Sequence, residues 1–599
     1  MHAPPPPPVR AAARRWWSLA LAAVLLACAH GPRGPGGEGA ARVKLLAIND
    51  FHGQLAPVKL VAGRPAGSAP VLAAHLRAAM AGSEERTILV EAGDLVSASP
   101  AISALLLDEP AVAFFNLFAN SRCGQLPLPP HQPSGPDRFD ALFDPGCNMV
   151  GVPGNHEFDR GVEELIRLLD GGRHPGGPFL EDPWRGARFP VVAANVKRAS
   201  GDLLFRPYVV KSVDGVRLAF VGAAQRRTPS MVSPGGVAGL AFGDEVDGIN
   251  AQIPALHGLG IHAIVAVVHE GGAGQAHYSG PTRHLATTPP AELKRLVARL
   301  DPDVDVLVTA HTHTFANVVL PNAGGRGVLV VQAYSAGTAF ADIDLTVDRR
   351  EGDVVAKSAR IVTAFADLGL SPDPGAARLT EAAEARVAPL TRRVVASAAG
   401  VVGRAPDDAG QTPLGQLVAD AQRASVKKAD FAVTNSGGTR ADLPSTCPTR
   451  SCPITWGDCF AAQPFGNRVV SLSLTGAELQ EVLEQQWRAP DEGAHMLQVS
   501  GFRYAYSESA PRGRRVVPGS LRRTGGTAIE RDARYVLAVN SFLAEGGSGF
   551  TVLGDLVRRS RSAAASTVEP LDLDALVGWL ERQPQPVAFR SEARVERRP

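Results

Sequence analysis

Seven short apolar runs, at 43–48, 87–90, 149–152, 191–194, 263–268, 304–308 and 328–331, punctuate the first half of this chain. They are apolar at successive positions rather than at alternate ones, so they predict central strands with both faces buried. Helical patterns lie between them at 71–80, 162–169 and 291–300. Strands of that kind alternating with helices leave few options beyond a layered α/β domain.

The chain has 599 residues, too many for one core. Residues 376–388 are rich in Ala, Glu and Arg with few turn signals and predict a linker helix. A second α/β unit follows, with helices expected at 414–426 and 476–487. The expected division is a first domain over 43–350, a linker-helix region over 351–395 and a C-terminal domain over 396–590. No internal repeat is evident. Hydrophobic and charged contents of 45% and 20% are globular values. With 61 Lys+Arg against 59 Asp+Glu, charge gives no reason to expect a nucleic-acid partner.

Arg10, Arg14 and Arg15 precede a short apolar stretch at 16–27 that cannot span a bilayer, and together they predict an export signal over 1–27. The stretch ends Leu25-Leu26-Ala27-Cys28, which looks like a bacterial lipobox, in which the Cys becomes the lipidated terminus. The alternative is an ordinary signal peptide with an incidental Cys. The expected location is the periplasm or outer membrane, with membrane contact only through lipid at Cys28 and a Gly/Pro/Ala-rich tether over 28–42. The prolines at 4–8 fit neither a helix nor a signal. An exported chain can form disulfides: Cys123 and Cys147 bracket a Pro-rich insertion, Cys447 and Cys452 another loop, and Cys459 is left over. Unpaired buried thiols are the other reading. The absence of CxxC argues against a zinc cluster.

Five of the apolar runs end in metal-ligand chemistry. They lead into Asn49-Asp50-Phe51-His52, Gly93-Asp94, Gly154-Asn155-His156-Glu157, His269-Glu270 and His311-Thr312-His313. Taken singly, each is more often a surface or core residue than a ligand. Five in order, each at a strand end, predict a site at the C-terminal edge of the sheet. Imidazoles mixed with carboxylates suit Zn, Mn, Co or Fe. The donors suffice for two divalent ions with Asp94 as the bridge, a spacing of about 3.5–4 Å that suits in-line phosphoryl displacement.

These blocks, with Phe158-Asp159 and Ala310, resemble in order the signature of the calcineurin-like metallophosphoesterases, and the Glu-Phe-Asp ending is similar to the 5′-nucleotidase branch. The resemblance implies a four-layer α/β/β/α N-terminal domain and a C-terminal α/β domain of 5′-nucleotidase type. It implies that Asp50, His52, Asp94 and His313 hold one ion, that Asp94, Asn155, His269 and His311 hold the other, and that His156 and Asp159 are a catalytic pair. Ala310 stands where the family usually has Gly, which would strain the chain if a positive φ were needed there.

The resemblance continues from 43 to about 555, through Leu414-Gly415, Asn435-Ser436-Gly437-Gly438-Thr439-Arg440, Pro464-Phe465-Gly466-Asn467 and Asn540-Ser541-Phe542-Leu543. Read alone, a Gly-Gly turn beside Arg440 is either a phosphate cradle or a tight turn with a surface Arg. Phe465 and Phe542 are either a slot for a flat ring or core packing. The resemblance implies that both stack a nucleobase and that Asn435 and Arg440 bind the nucleotide. Two departures touch specificity: Gly410 stands near the place of an expected Arg, and Ser548 replaces an Asp that would hold the ribose hydroxyls. The expected activity is hydrolysis of 5′-nucleotides or related small phosphate esters. Alternatives are UDP-sugar, dinucleotide or cyclic-nucleotide hydrolysis, a broad phosphomonoesterase, or a surface lipoprotein that binds nucleotide without turnover.

Overall fold

A computed structural model describes residues 39–56, 59–126, 142–272, 278–283, 290–487, 494–561 and 570–599. The expected signal and Cys28 lie outside the described residues. The longer strands of the first domain's two main sheets, in chain order, are β1 (Ala40–Ile48), β2 (Thr87–Glu91), β3 (Met149–Gly151), β4 (Tyr208–Val213), β5 (Val216–Ala223), β6 (Ala263–Val268), β7 (Val304–Thr309), β8 (Phe315–Pro321), β9 (Gly327–Ala333), β10 (Ala339–Asp348) and β11 (Val354–Thr363).

Side chains of β1 sort with period two. Val43, Leu45 and Ala47 enter one core, and Leu46 and Ile48 another. In β6, Val265 and Val267 face the first of these cores, while Ile264 and Val268 face a third. Both faces of these central strands are therefore apolar, which is why their runs do not alternate. One sheet has the order β11-β10-β1-β2-β3, with Gly280–Pro281 beside β11; the other has the order β8-β9-β7-β6-β5-β4. The sheets pack face to face through Val43, Leu45, Val150, Phe220, Val265 and Val306. Helices Ala69–Met80, Glu109–Asn116 and Val162–Asp170 cover one outer face. Helices Glu245–Asn250, Ile253–Gly258 and Ala291–Val297 cover the other. The four layers are α/β/β/α, as expected.

Two expectations change. Residues 191–194 form no strand: Pro190 lacks the N–H that a ladder needs, and Val191 and Val192 make only isolated bridges. The first domain also extends beyond 350, because β11 pairs along β10 as far as Thr363. The linker helix is Pro374–Thr391, with Pro at its first position and the Asp373 side chain accepting from the Ala376 amide. It packs Ala376, Ala383 and Val387 against the first domain.

In the C-terminal domain, β12 (Phe431–Asn435), β13 (Val469–Thr475), β14 (Leu497–Ser500) and β15 (Arg534–Asn540) form a sheet of order β13-β15-β12-β14. Helix Pro413–Ser425 runs across it. Ala101 and Ala104 of the first domain share an apolar cluster with Phe460 and Leu576 of the second, so the domains meet on a packed surface. Cys123 is bonded to Cys147 and Cys447 to Cys452, and Cys459 is free and buried. No helix among the described residues is long and apolar enough to cross a membrane.

Candidate active site

The parallel strands β1, β2, β3, β6 and β7 all point their C-terminal ends at one place. The turns leaving them are strained. Asp50, His52, Asp94, His311 and His313 take left-handed φ values between 49° and 71°, where non-glycine residues are uncommon. Glu157 holds two of these turns together. Its Oε2 accepts from the amides of Asp94 (3.0 Å) and Gly154 (2.5 Å), and its Oε1 accepts from Leu95 (2.9 Å). Gly93 is required beside it, since a Cβ there would sit 2.6 Å from the Gly154 amide.

All seven expected ligands meet. Asp50, His52 and His313 form one group, and Asp94, His269 and His311 another, with the donor atoms of each group within 4.8 Å of one another. Asn155 Oδ1 lies 3.0 Å from His311 Nδ1. The His52 Nδ1 bonds the Ser97 carbonyl at 3.0 Å and that of His269 the Ala92 carbonyl at 2.8 Å. Each anchor turns the ring's Nε2 inward. The His269 Nε2 is buried, 3.1 Å from Asp94 Oδ2, yet makes no hydrogen bond of good geometry.

These groups fit divalent cations. Asp50 and Asp94 are 0% and 1% exposed, and among the described residues neither pairs with Lys or Arg. Burial raises both carboxyls, but the facing imidazoles outweigh it and hold both below the ordinary value. Burial likewise opposes charge on His269, but Asp94 outweighs it and raises that imidazole to about 10. Burial lowers His311 to about 4 and His52 well below its ordinary value. The pocket thus demands positive charge next to neutral imidazoles, the condition of a metal site.

His156 follows β3. Its amide donates to Asp94 Oδ1 (2.9 Å) and its Nδ1 to Asp159 Oδ2 (2.6 Å). Burial opposes its charge, but Asp159 and Asp94 together raise its pKa. The Nε2 is left for the cavity, a space of about 500 Å³ between the domains. Asn155, His156, Asp159 and His311 line it from one side, and Asn435, Arg440, Phe465, Phe542 and Ser548 from the other. The Phe465 ring stacks on His156 at 5.9 Å, with Arg440 also 5.9 Å from it. The Phe542 ring lies over Gly547, whose missing Cβ makes room for it. Asn435 Oδ1 accepts from Asn540 Nδ2 at 2.9 Å.

Backbone geometry accounts for Ala310 and Gly410 in different ways. Ala310 is buried and has no positive φ; the left-handed residue is His311, so no strain falls on Ala310. Gly410 has φ +79°, and a Cβ there would meet the Met496 side chain at 2.7 Å, so an Arg on this backbone would be strained and would displace Met496. Sequence reasoning missed Glu157 as a clamp, although it stands inside a quoted block. It also missed Ser97, Arg160 and the segment Met231-Val232-Ser233, which line the cavity from the first domain. Ser233 Oγ donates across the domain boundary to Glu545 Oε2 at 2.7 Å. No local pattern marks a pair so far apart in the chain.

The family described as the 5′-nucleotidase C-terminal domain matches residues 394–555. Endonuclease YhcR of Bacillus subtilis (strain 168) is 31% identical over 563 residues, covering 92% of this chain and 41% of that protein. Cell wall protein Lmo0130 of Listeria monocytogenes serovar 1/2a is 30% identical over 568 residues, covering 90% of this chain and 67% of that one. The crystal structure of a 5′-nucleotidase precursor from Thermus thermophilus superposes with a TM-score of 0.71 at 25% identity, over 93% of this chain and 99% of that one. This chain thus spans less than half the length of the Bacillus relative and two thirds of the Listeria one.

Proposed function

This chain belongs to the 5′-nucleotidase family, and we propose that it hydrolyses phosphate esters outside the cytoplasm with two divalent ions, splitting 5′-nucleotides to nucleoside and phosphate. Asp50, His52, Asp94 and His313 would hold one ion, and Asp94, Asn155, His269 and His311 the other; Zn, Mn, Co and Fe all suit the donors. Bound there, the ions supply an activated water at neutral pH and positive charge against phosphoryl oxygens.

The chain's own groups do the rest. Asp159 keeps His156 oriented and protonated, so Nε2 donates to an oxygen as negative charge grows on it. Arg440 adds a fixed cation on the opposite wall. Phe465 and Phe542 offer flat surfaces to a base, and Asn435 and Ser548 offer polar contacts beside them. One observation carries the reading: Asn155 and His311 of the ligand set, the His156–Asp159 pair and the two Phe residues all line a single cavity of about 500 Å³, a size that suits one small ligand.

The test is a turnover screen of the purified metal-loaded chain against AMP, UDP-glucose, cyclic nucleotides, p-nitrophenyl phosphate and DNA. Phosphate release from AMP above the other substrates supports the reading. The altered Gly410 and Ser548 favour a broader phosphoesterase as the second reading, which turnover of the simple ester alone would select. Cleavage of DNA alone would replace both readings; the name of the Bacillus relative makes that arm necessary. Export and lipid at Cys28 complete the proposal. Two disulfides and a relative named as a cell wall protein support export. Cys28→Ser should move the protein from the membrane fraction to the soluble one.

A further inference from the structure

Asp159 Oδ2, the oxygen that receives His156 Nδ1, also receives a second donor. The Ser97 hydroxyl reaches it at 2.5 Å. Ser97 stands in the turn that follows Asp94, is 8% exposed and takes φ +61°. Its other two polar groups are also engaged. Its amide donates to Asp108 Oδ2 at 3.2 Å, and its carbonyl accepts from His52 Nδ1 at 3.0 Å. A single residue therefore touches both a candidate metal ligand and the carboxylate behind His156. Its backbone conformation is one that an L-residue holds only when its surroundings impose it.

We propose that Ser97 is a positioning residue, whose hydroxyl fixes the Asp159 carboxylate, and through it the His156 ring, in register with the metal ligands that its own turn orients. The inference rests on the function proposed above. With Ser97 and His156 both donating to Oδ2, the carboxylate has one favoured rotamer. Without the hydroxyl, Asp159 is free to swing toward water, and His156 follows it. Displacement of a reacting group by about 1 Å costs on the order of a hundredfold in rate.

The test uses Ser97→Ala and Ser97→Gly in the full metal-loaded chain. Both remove the hydroxyl, keep the carbonyl on His52, and differ in how well they tolerate a positive φ, so a loss shared by both belongs to the hydroxyl. The expected result is a kcat lower by about ten- to a hundredfold with KM nearly unchanged. Metal content, measured by plasma emission, stays at the wild-type ratio. In a cycle with Asp159→Asn, the double variant should be no slower than Asp159→Asn alone, because Ser97 acts through Asp159. Additive losses, a kcat within twofold of wild type, or lost metal would each overturn the proposal. Crystal structures of the wild type and Ser97→Gly give a readout independent of turnover: Asp159 and His156 should leave their wild-type positions, and unchanged positions overturn the inference. If the wild type splits no phosphate ester, the proposed function fails, and the crystal structures alone judge Ser97.

Discussion

His52 Nε2 and His313 Nε2 lie 3.2 Å apart, and His313 Nε2 is also 3.2 Å from Asp50 Oδ1. Two imidazole nitrogens that close either share a proton or direct their lone pairs at a common cation. With Asp50 buried beside them, the second arrangement balances the charge.

Chelation should therefore abolish activity, and Mn, Co or Zn should restore part of it. Asp94→Ala should remove both ions, since Asp94 Oδ2 stands between the two groups, 3.8 Å from His52 Nε2 and 3.1 Å from His269 Nε2. Metal content per chain, measured after gel filtration, checks this. Retention of one full equivalent would show that Asp94 is not a bridge.

Replacing His156 by Asn should leave metal content unchanged and lower kcat by about 10²–10³-fold, the loss seen when one transition-state donor is removed. The comparison is kcat at saturating substrate with metal measured in the same samples. A fall in metal occupancy matching the fall in rate would assign His156 to the ligand set instead, where its distance to Asp94 and His52 also allows it to stand.

Phe542→Ala should raise KM for nucleotides by about 5- to 150-fold, since stacking on an aromatic is worth about 1–3 kcal/mol per base. It should leave p-nitrophenyl phosphate hydrolysis nearly unchanged. Phe465→Ala should affect both substrates, because that ring also stacks on His156. Equal effects of the two variants on both substrates would place the base elsewhere in the cavity.

Lys211 of β4 is buried, and its Nζ has no hydrogen-bond partner among the described residues. Burial pulls its pKa from 10.5 to about 7, with Asp144 pulling the other way. The folded value lies below the unfolded one, so the unfolded chain binds more protons between about pH 7 and 10.5. Stability from this group therefore rises with pH across that window and is lowest below it. Lys211→Met should raise the melting temperature near pH 6 and flatten the rise that the wild type shows toward pH 9. Parallel curves for the two proteins would refute the assignment.

What the chain displayed before folding was set by periodicity and by chemistry. Runs such as 263–268 appear in the structure with the same bounds, because burial on both faces leaves an unbroken apolar signature. The ligands were legible because each follows such a run by one to five residues. β10 and β11 are not unbroken apolar runs: Asp342, Asp344 and Thr346 alternate with buried Ile343, Leu345 and Val347 along β10, the period-two signature of a strand with one more polar face, and Lys357 and Arg360 interrupt β11. The Ser97–Asp159 and Ser233–Glu545 contacts were illegible for another reason: a hydrogen bond between residues 62 or 312 apart in the chain leaves no mark on either neighbourhood.

Ser548 carries the last expectation. It lines the cavity with φ 49° and ψ 21°, a left-handed conformation that Asp tolerates better than most residues. A hydroxyl at this place makes weaker bonds to ribose hydroxyls than a carboxylate does, so the wild type should discriminate poorly between AMP and dAMP. Ser548→Asp should sharpen that preference without new strain, since the backbone already suits it. The measurement is kcat/KM for both nucleotides in both proteins, and the gain should appear in AMP rather than as a loss in dAMP alone. A wild-type preference above about a hundredfold, equivalent to about 2.7 kcal/mol, would mean that another group already holds the ribose. Asn467, which lines the same cavity, would then be the residue to replace next.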